Sequence, residues 1–378
     1  MTGDKRLIVL LDTTLGLSAQ FISSLSLSPT STASATTPRN PEETGNKTNL
    51  PLPLLAAAAQ TLKSHTGKIS LFAINTPFTP SAIKSVLSQI NDSVLPSLVT
   101  AAFLLHPDHY TRIFQAEVNS LVKSALREFV TLIGDIKGIA LGDGKELKEA
   151  DRVAVTTAAG RVWKVCDQLV ATSTDGVVGM VIRKANEFLE LVRDGINELE
   201  EWDPEDSDDD DWGMEDDFAD EAKDDGEKDG EDDEDRDELI ATLSKEKKEL
   251  IRLLMPISKL YTAMAVQRLK PLKQDSILPK YASNLDDLVD HLKEIPDLVD
   301  EAAGSLYEHD IEAVASYSRQ LRDCAITTVE IVRKPWISGD DADSKAEGQG
   351  EVEDKFSKWA AIWLKVLNEL GKPSSAKA

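Results

Sequence analysis

One signal repeats along most of this 378-residue chain: apolar residues spaced alternately three and four apart. That is the period of an α-helix burying one face, and nowhere does the strict alternation of a half-buried strand between hairpin turns replace it. In Tyr110 to Ile136 the stripe runs Phe114, Val118, Leu121, Ala125, Phe129, Leu132 and Ile136. In Gly176 to Glu201 it runs Val178, Val181, Ala185, Phe188, Val192, Ile196 and Leu199. Similar stripes occupy Leu54 to Phe72, Ser81 to Leu105, Glu149 to Thr172, Asp237 to Leu269, Leu285 to Tyr307, Asp310 to Val332 and Val352 to Leu370, and Leu7 to Leu27 is a Ser- and Thr-rich candidate. The expected fold is all-α, an up-and-down bundle of long antiparallel helices. Short connections at Pro107-Asp108 and Thr172 to Asp175 reverse the chain. Pro96, Pro256 and Pro296 fall inside three patterns, where a missing N–H and a ring clash predict a kink or a split.

Three segments are expected to be unstructured, each for a different reason. Residues 28–49 are Ser-, Thr- and Pro-rich, and 338–354 form a Gly-, Asp- and Ser-rich loop before the last helix. The third is acidic: Glu200 to Glu238 holds 25 acidic residues against three basic ones, a local net charge of -22. The rest of the chain has 42 acidic and 39 basic residues, net -3, so the formal charge of -25 describes neither part. Burying the large apolar residues of the tract returns on the order of 10 kcal/mol. Ordering its backbone costs about 1 to 2 kcal/mol per residue. The expected organisation is therefore a helical bundle over 1–201, a disordered linker over 202–236 and a second helical region over 237–378.

No constellation of catalytic residues emerges. The pair His106-x-x-His109 has Pro107 between its members and no nearby cysteine to complete a metal site, so no metal is expected. Gly142-Asp143-Gly144-Lys145 fails as a phosphate loop, because Ile139 stands where the first glycine belongs and Glu146 where Ser or Thr must meet magnesium. It reads as a helix-ending turn in which Gly138, Gly142 and Gly144 tolerate positive φ. Asp225-x-Glu227-x-Asp229-Gly230 fails as a calcium loop, since the twelfth position is Arg236. Cys166 and Cys324 both lie within helical stripes, which excludes a disulfide-stapled domain. The expectation is a protein without catalysis or cofactor, and without direct nucleic-acid contact, because the tract repels phosphate and no basic patch stands out. The five-residue run Leu7 to Leu11 is too short for a signal core, and no membrane association is expected.

The tract offers interaction chemistry. In Asp211-Trp212-Gly213-Met214-Glu215-Asp216-Asp217-Phe218 the acids attract basic proteins at long range, and Trp212, Met214 and Phe218 can anchor in apolar pockets. The competing reading is a solubilising linker. Ser207, followed by four aspartates, is a candidate acceptor for an acid-directed kinase.

Short motifs in a fixed order carry a resemblance. They are Thr79-Pro80-Ser81, Ala101-Ala102-Phe103-Leu104-Leu105-His106-Pro107, Val162-Trp163-x-x-Cys166-Asp167, and Asn186-Glu187-Phe188 through Val192-Arg193-Asp194, followed by the acid-rich break from Glu201-Trp202-Asp203-Pro204. In these the chain resembles the GCIP family, the GRAP- and cyclin-D-interacting proteins, also called cyclin-D-binding proteins. The resemblance implies an all-helical fold of the talin and vinculin type, cytoplasmic and nuclear, without catalytic activity. It further implies a negative regulator of cell-cycle progression whose partners are a cyclin or another cell-cycle or transcription regulator. The residues leave two alternatives: a chaperone of histones or other basic proteins working through the tract, and a talin-like cytoskeletal binder. Trp163 and Cys166, one turn apart on an apolar face, are expected in the core.

Overall fold

A computed structural model describes residues 2–26, 51–142, 147–205, 231–272, 278–334, 336 and 354–370. The segment 28–49, almost all of 338–354, and Ser207, Trp212, Met214 and Phe218 lie outside the described residues. Among those described, every regular element is helical, as the apolar period requires. The chain divides into two compact units, one comprising Met1–Met180 with Leu278–Ala282, the other Val181–Ile277 with Ser283–Ala378.

The first unit contains α1 (Thr2–Ser26), α2 (Pro51–Ile74), α3 (Pro80–Gln89), α4 (Leu95–Phe103), the single turn α5 (Pro107–Tyr110), α6 (Arg112–Leu141) and the first part of α7 (Glu149–Glu201). Its centre is α6, where Phe114, Val118, Ala125, Phe129, Leu132 and Ile136 of the expected stripe are fully buried. Val122, Leu126 and Ile133 join them and widen the stripe, while Leu121 sits at its edge. Each large side chain so buried contributes roughly 1.5 to 3 kcal/mol. The helix starts at Thr111, whose hydroxyl accepts the Phe114 N–H at 3.1 Å, satisfying a donor the first turn leaves open. It runs through Gly138 to Leu141, and Gly142 caps it at φ -78°, so neither of these glycines uses the positive φ expected of the turn.

Helix α1 lays Leu7, Leu11, Thr14, Ser18 and Leu25 against its neighbours α6 and α3. By length and composition alone, Lys5–Ser26 and α7 could each cross a membrane. More than half of the apolar stretch of α7 is buried within the protein, which marks it as a core helix.

Gly176 interrupts α7 at φ 61° and ψ -162°, backbone angles that belong essentially to glycine. Two helices meet there as expected, but the connection expected at Thr172 to Asp175 is helical and the break falls at Gly176 instead. Residues 181–201, placed with the N-terminal bundle from sequence, pack with the second unit. There α7 buries Val181, Ala185, Leu189, Val192, Ile196 and Leu199, with Phe188 only half-buried.

The second unit also contains α8 (Glu231–Met264), α9 (Leu278–Tyr307), α10 (Ile311–Arg333) and α11 (Lys355–Leu370). Helix α8 begins at Glu231, inside the acidic run. Lys247 of α8 donates to the Glu200 and Trp202 carbonyls at 3.1 and 2.5 Å. Its ammonium thus caps the negative end of α7. A Cβ added at Gly195 would come within 2.8 Å of Val299, and the Trp202 and Tyr307 rings lie 5.0 Å apart, so α7 and α9 run parallel.

The three prolines differ in what they do to their helices. Pro256 and Pro296 lie inside α8 and α9 without splitting them. Before Pro96 the helix widens into a π-turn, Ile90–Val94, in which the Leu95 N–H bonds the Ile90 carbonyl. That extra residue relieves the clash a proline ring makes with the carbonyl four positions back. A second π-turn, Ala265–Leu269, follows α8.

Candidate functional site

The surface of the first unit opens between α2 and α7. Leu55, Ala59, Leu62 and Ile69 point α2 into the core, which leaves Gln60, Ser64, Gly67 and Leu71 along its outer side. On α7, Val155, Ala158, Val162, Cys166 and Leu169 face inward. Trp163 follows Val162 by one position, is therefore turned about 100° away, and is 40% exposed. Of the two residues expected in the core, Cys166 is there and Trp163 is not.

An open cleft of about 380 Å³ results, lined by Gln60, Lys63, Ser64, Gly67 and Trp163. A Cβ added at Gly67 would stand 3.5 Å from the Trp163 ring. Glycine there keeps the floor of the cleft low against the indole face. One turn away, Lys63 bonds both carboxylate oxygens of Asp167 at 2.6 and 2.7 Å. The pairings of 63 with 167 and of 67 with 163 show that the two helices are antiparallel. The cleft thus offers an indole face beside a lysine–aspartate pair, a combination suited to a partner's apolar side chain and polar backbone. Burial and, second, the charge of Lys68 lower the pKa of neighbouring His65, so it is neutral at physiological pH.

Among the described residues the other sequence candidates give no competing site. The His106 and His109 rings are 6.5 Å apart at the α5 turn. Among the described residues no three His, Cys, Asp or Glu side chains gather to hold a metal. Cys166 and Cys324 are buried free thiols. Burial, then Asp167, pushes the Cys166 thiol up to about 12; burial, then Glu294, pushes Cys324 up to about 12. Both are protonated at neutral pH and poor nucleophiles.

Sequence reasoning missed one side chain entirely. Arg268, in the second π-turn, is 5% exposed. It donates to the Val332 and Arg333 carbonyls at 2.6 Å each, binds the Asp354 carboxylate, and lies over the Phe356 ring at 4.8 Å. It fastens α11 to the ends of α8 and α10. The signal was present, because Leu260, Met264 and Arg268 share one stripe at four-residue spacing.

Residues 54–205 match the model of the family described as Grap2 and cyclin-D-interacting, N-terminal. Over that stretch the chain is similar to the GCIP family, and every residue lining the cleft lies inside it. A protein of Schizosaccharomyces pombe, described as uncharacterized, is 22% identical over 296 residues, covering 76% of this chain and 82% of its own length.

Proposed function

We propose that this protein is a non-enzymatic adaptor of the cytoplasm and nucleus that regulates cell-cycle progression by binding a D-type cyclin through the cleft between α2 and α7. The supporting observation is the exposed Trp163 over Gly67, within the domain whose family description names cyclin D. A tryptophan at the centre of an interface commonly accounts for 2 kcal/mol or more of binding.

Purified D-type cyclin should bind the full-length protein in a pull-down and in titration. Trp163→Ala should weaken it about 30-fold while the melting temperature holds. Failure of the intact protein to bind, or equal binding by Trp163→Ala, would overturn the reading. Deleting Glu205 to Asp235 should leave cyclin binding intact. If the deletion abolishes binding, and histones bind the intact chain instead, the tract-borne chaperone reading takes its place.

A further inference from the structure

Helix α11 has two faces with different chemistry. Phe356, Ala360, Trp363 and Leu367 are buried. Ile362 is 65% exposed and Val366 43%, and Trp359, stacked 6.0 Å from Trp363, is half-buried between the faces. At about 100° per residue, Trp359, Ile362 and Val366 form one outer stripe. Exposed Lys355, Lys358 and Lys365 fall within or beside it, with Glu369 the acid nearby. Single exposed apolar residues are ordinary, but an apolar stripe edged by three lysines on one helix is a surface for an acidic, apolar ligand.

The same chain contains a segment of that composition. Asp211 to Phe218 places Trp212, Met214 and Phe218 among acids, within the tract of net charge -22. Its starting point is near the right end of the helix. Trp363 donates to the Pro256 carbonyl at 2.8 Å, and Phe356 lies under Arg268, so α11 runs antiparallel to α8 toward the N-terminal half of α8. Lys247 in that half holds the end of α7, from which the tract departs. Thirteen residues from Glu205 to Phe218 reach about 45 Å when extended; α11 is about 24 Å long. The described residues on either side of the tract, Glu205 and Glu231, belong to the same compact unit as the helix.

We infer that the outer face of α11 is the docking site for the chain's own segment Asp211 to Phe218. The lysines at 355, 358 and 365 meet its carboxylates, and Trp359, Ile362 and Val366 meet its aromatic and methionine side chains. The docked segment shields the face from other acidic ligands, and a basic protein capturing the tract must first displace it.

A photo-crosslinking amino acid at position 214 of the otherwise intact chain tests this. Irradiation should give intramolecular cross-links that peptide mapping places within 355–366. Their yield should fall as salt rises from about 0.1 to 1 M, which shortens the screening length from about 10 to 3 Å. Lys358→Glu with Lys365→Glu, both at exposed sites, should lower the yield by about tenfold, with the melting temperature unchanged. Ile362→Ser should lower it while keeping every charge. Cross-links scattered over other helices, cross-links between two chains, or a yield indifferent to the charge reversal would each overturn the proposal. Cyclin binding through Trp163 is unaffected by any of these outcomes.

Discussion

The two units solve the same packing problem with different interiors. In the first, apolar side chains along α1, α2, α4, α6 and α7 interlock, and the ion pairs Lys63–Asp167, Lys137–Asp12 and Arg161–Glu128 lie at the surface. In the second, a charged guanidinium is buried where α8, α10 and α11 meet. The apolar interior tolerates small adjustments through side-chain repacking. The buried arginine requires a particular set of acceptors in place, and so fixes where the last helix begins.

The contrast is sharpest at Arg268 itself. Arg268→Ala strips the Asp354 carboxylate and two carbonyls of their donor and should cost about 3 to 5 kcal/mol. Chemical denaturation of the full chain, followed by tryptophan fluorescence, should show the second unit unfolding first. A single unshifted transition would break the comparison. Trp363→Ala removes both a buried ring and its bond to the Pro256 carbonyl. The expected loss is about 3 kcal/mol, confined to the second unit; an unchanged melting temperature would place Trp363 outside the core.

Acid should act on the same junction. Burial pushes the Asp354 carboxyl up, but hydrogen bonds from Arg268 and Ser357 outweigh it and hold the carboxyl below its ordinary 3.8. A depressed pKa means stability fully present above 3.8 and lost as the pH falls through the folded value. Exposure of Trp359 and Trp363 to a quencher should therefore rise below about pH 3.8, and should do so no further in Arg268→Ala. At the small end, Asp167→Ala in the first unit breaks an exposed pair and should change stability by less than about 1 kcal/mol. A larger loss would mean that the first unit also depends on its charges.

The thiols test where the units agree. Cys166 and Cys324 should resist iodoacetamide at neutral pH and react only on unfolding. Because both pKa values are raised, their contribution is complete below about pH 9 and is lost as the pH rises toward 12.

Helix positions were legible because each buries a stripe, and a stripe is written in sequence as a period. What the period does not specify is the edge of the stripe. Trp163 adjoins Val162, and a rotation of one residue separates core from cleft, so the same apolar letter serves either place. Arg268 occupied a core position, but its charge reads as the end of a helix until the carbonyls of Val332 and Arg333, more than sixty residues later in sequence, are seen to receive it. Proline reads as a break, whereas at Pro96 an extra residue upstream absorbs the strain. The cleft itself could not be read, since it depends on α2 and α7 meeting in antiparallel register.

The π-turn at Ala265–Leu269 bears on how the length of this chain can change. Removing one residue from a regular α-helix rotates everything beyond it by about 100°, turning buried faces outward. A π-turn already contains one residue more than the α-helical course. Losing Val266, half-exposed within that turn, restores the ordinary winding and keeps Met264 and Lys270 on the faces they occupy now. Single-residue deletions, disruptive along the rest of α8, have one place there where the core keeps its register.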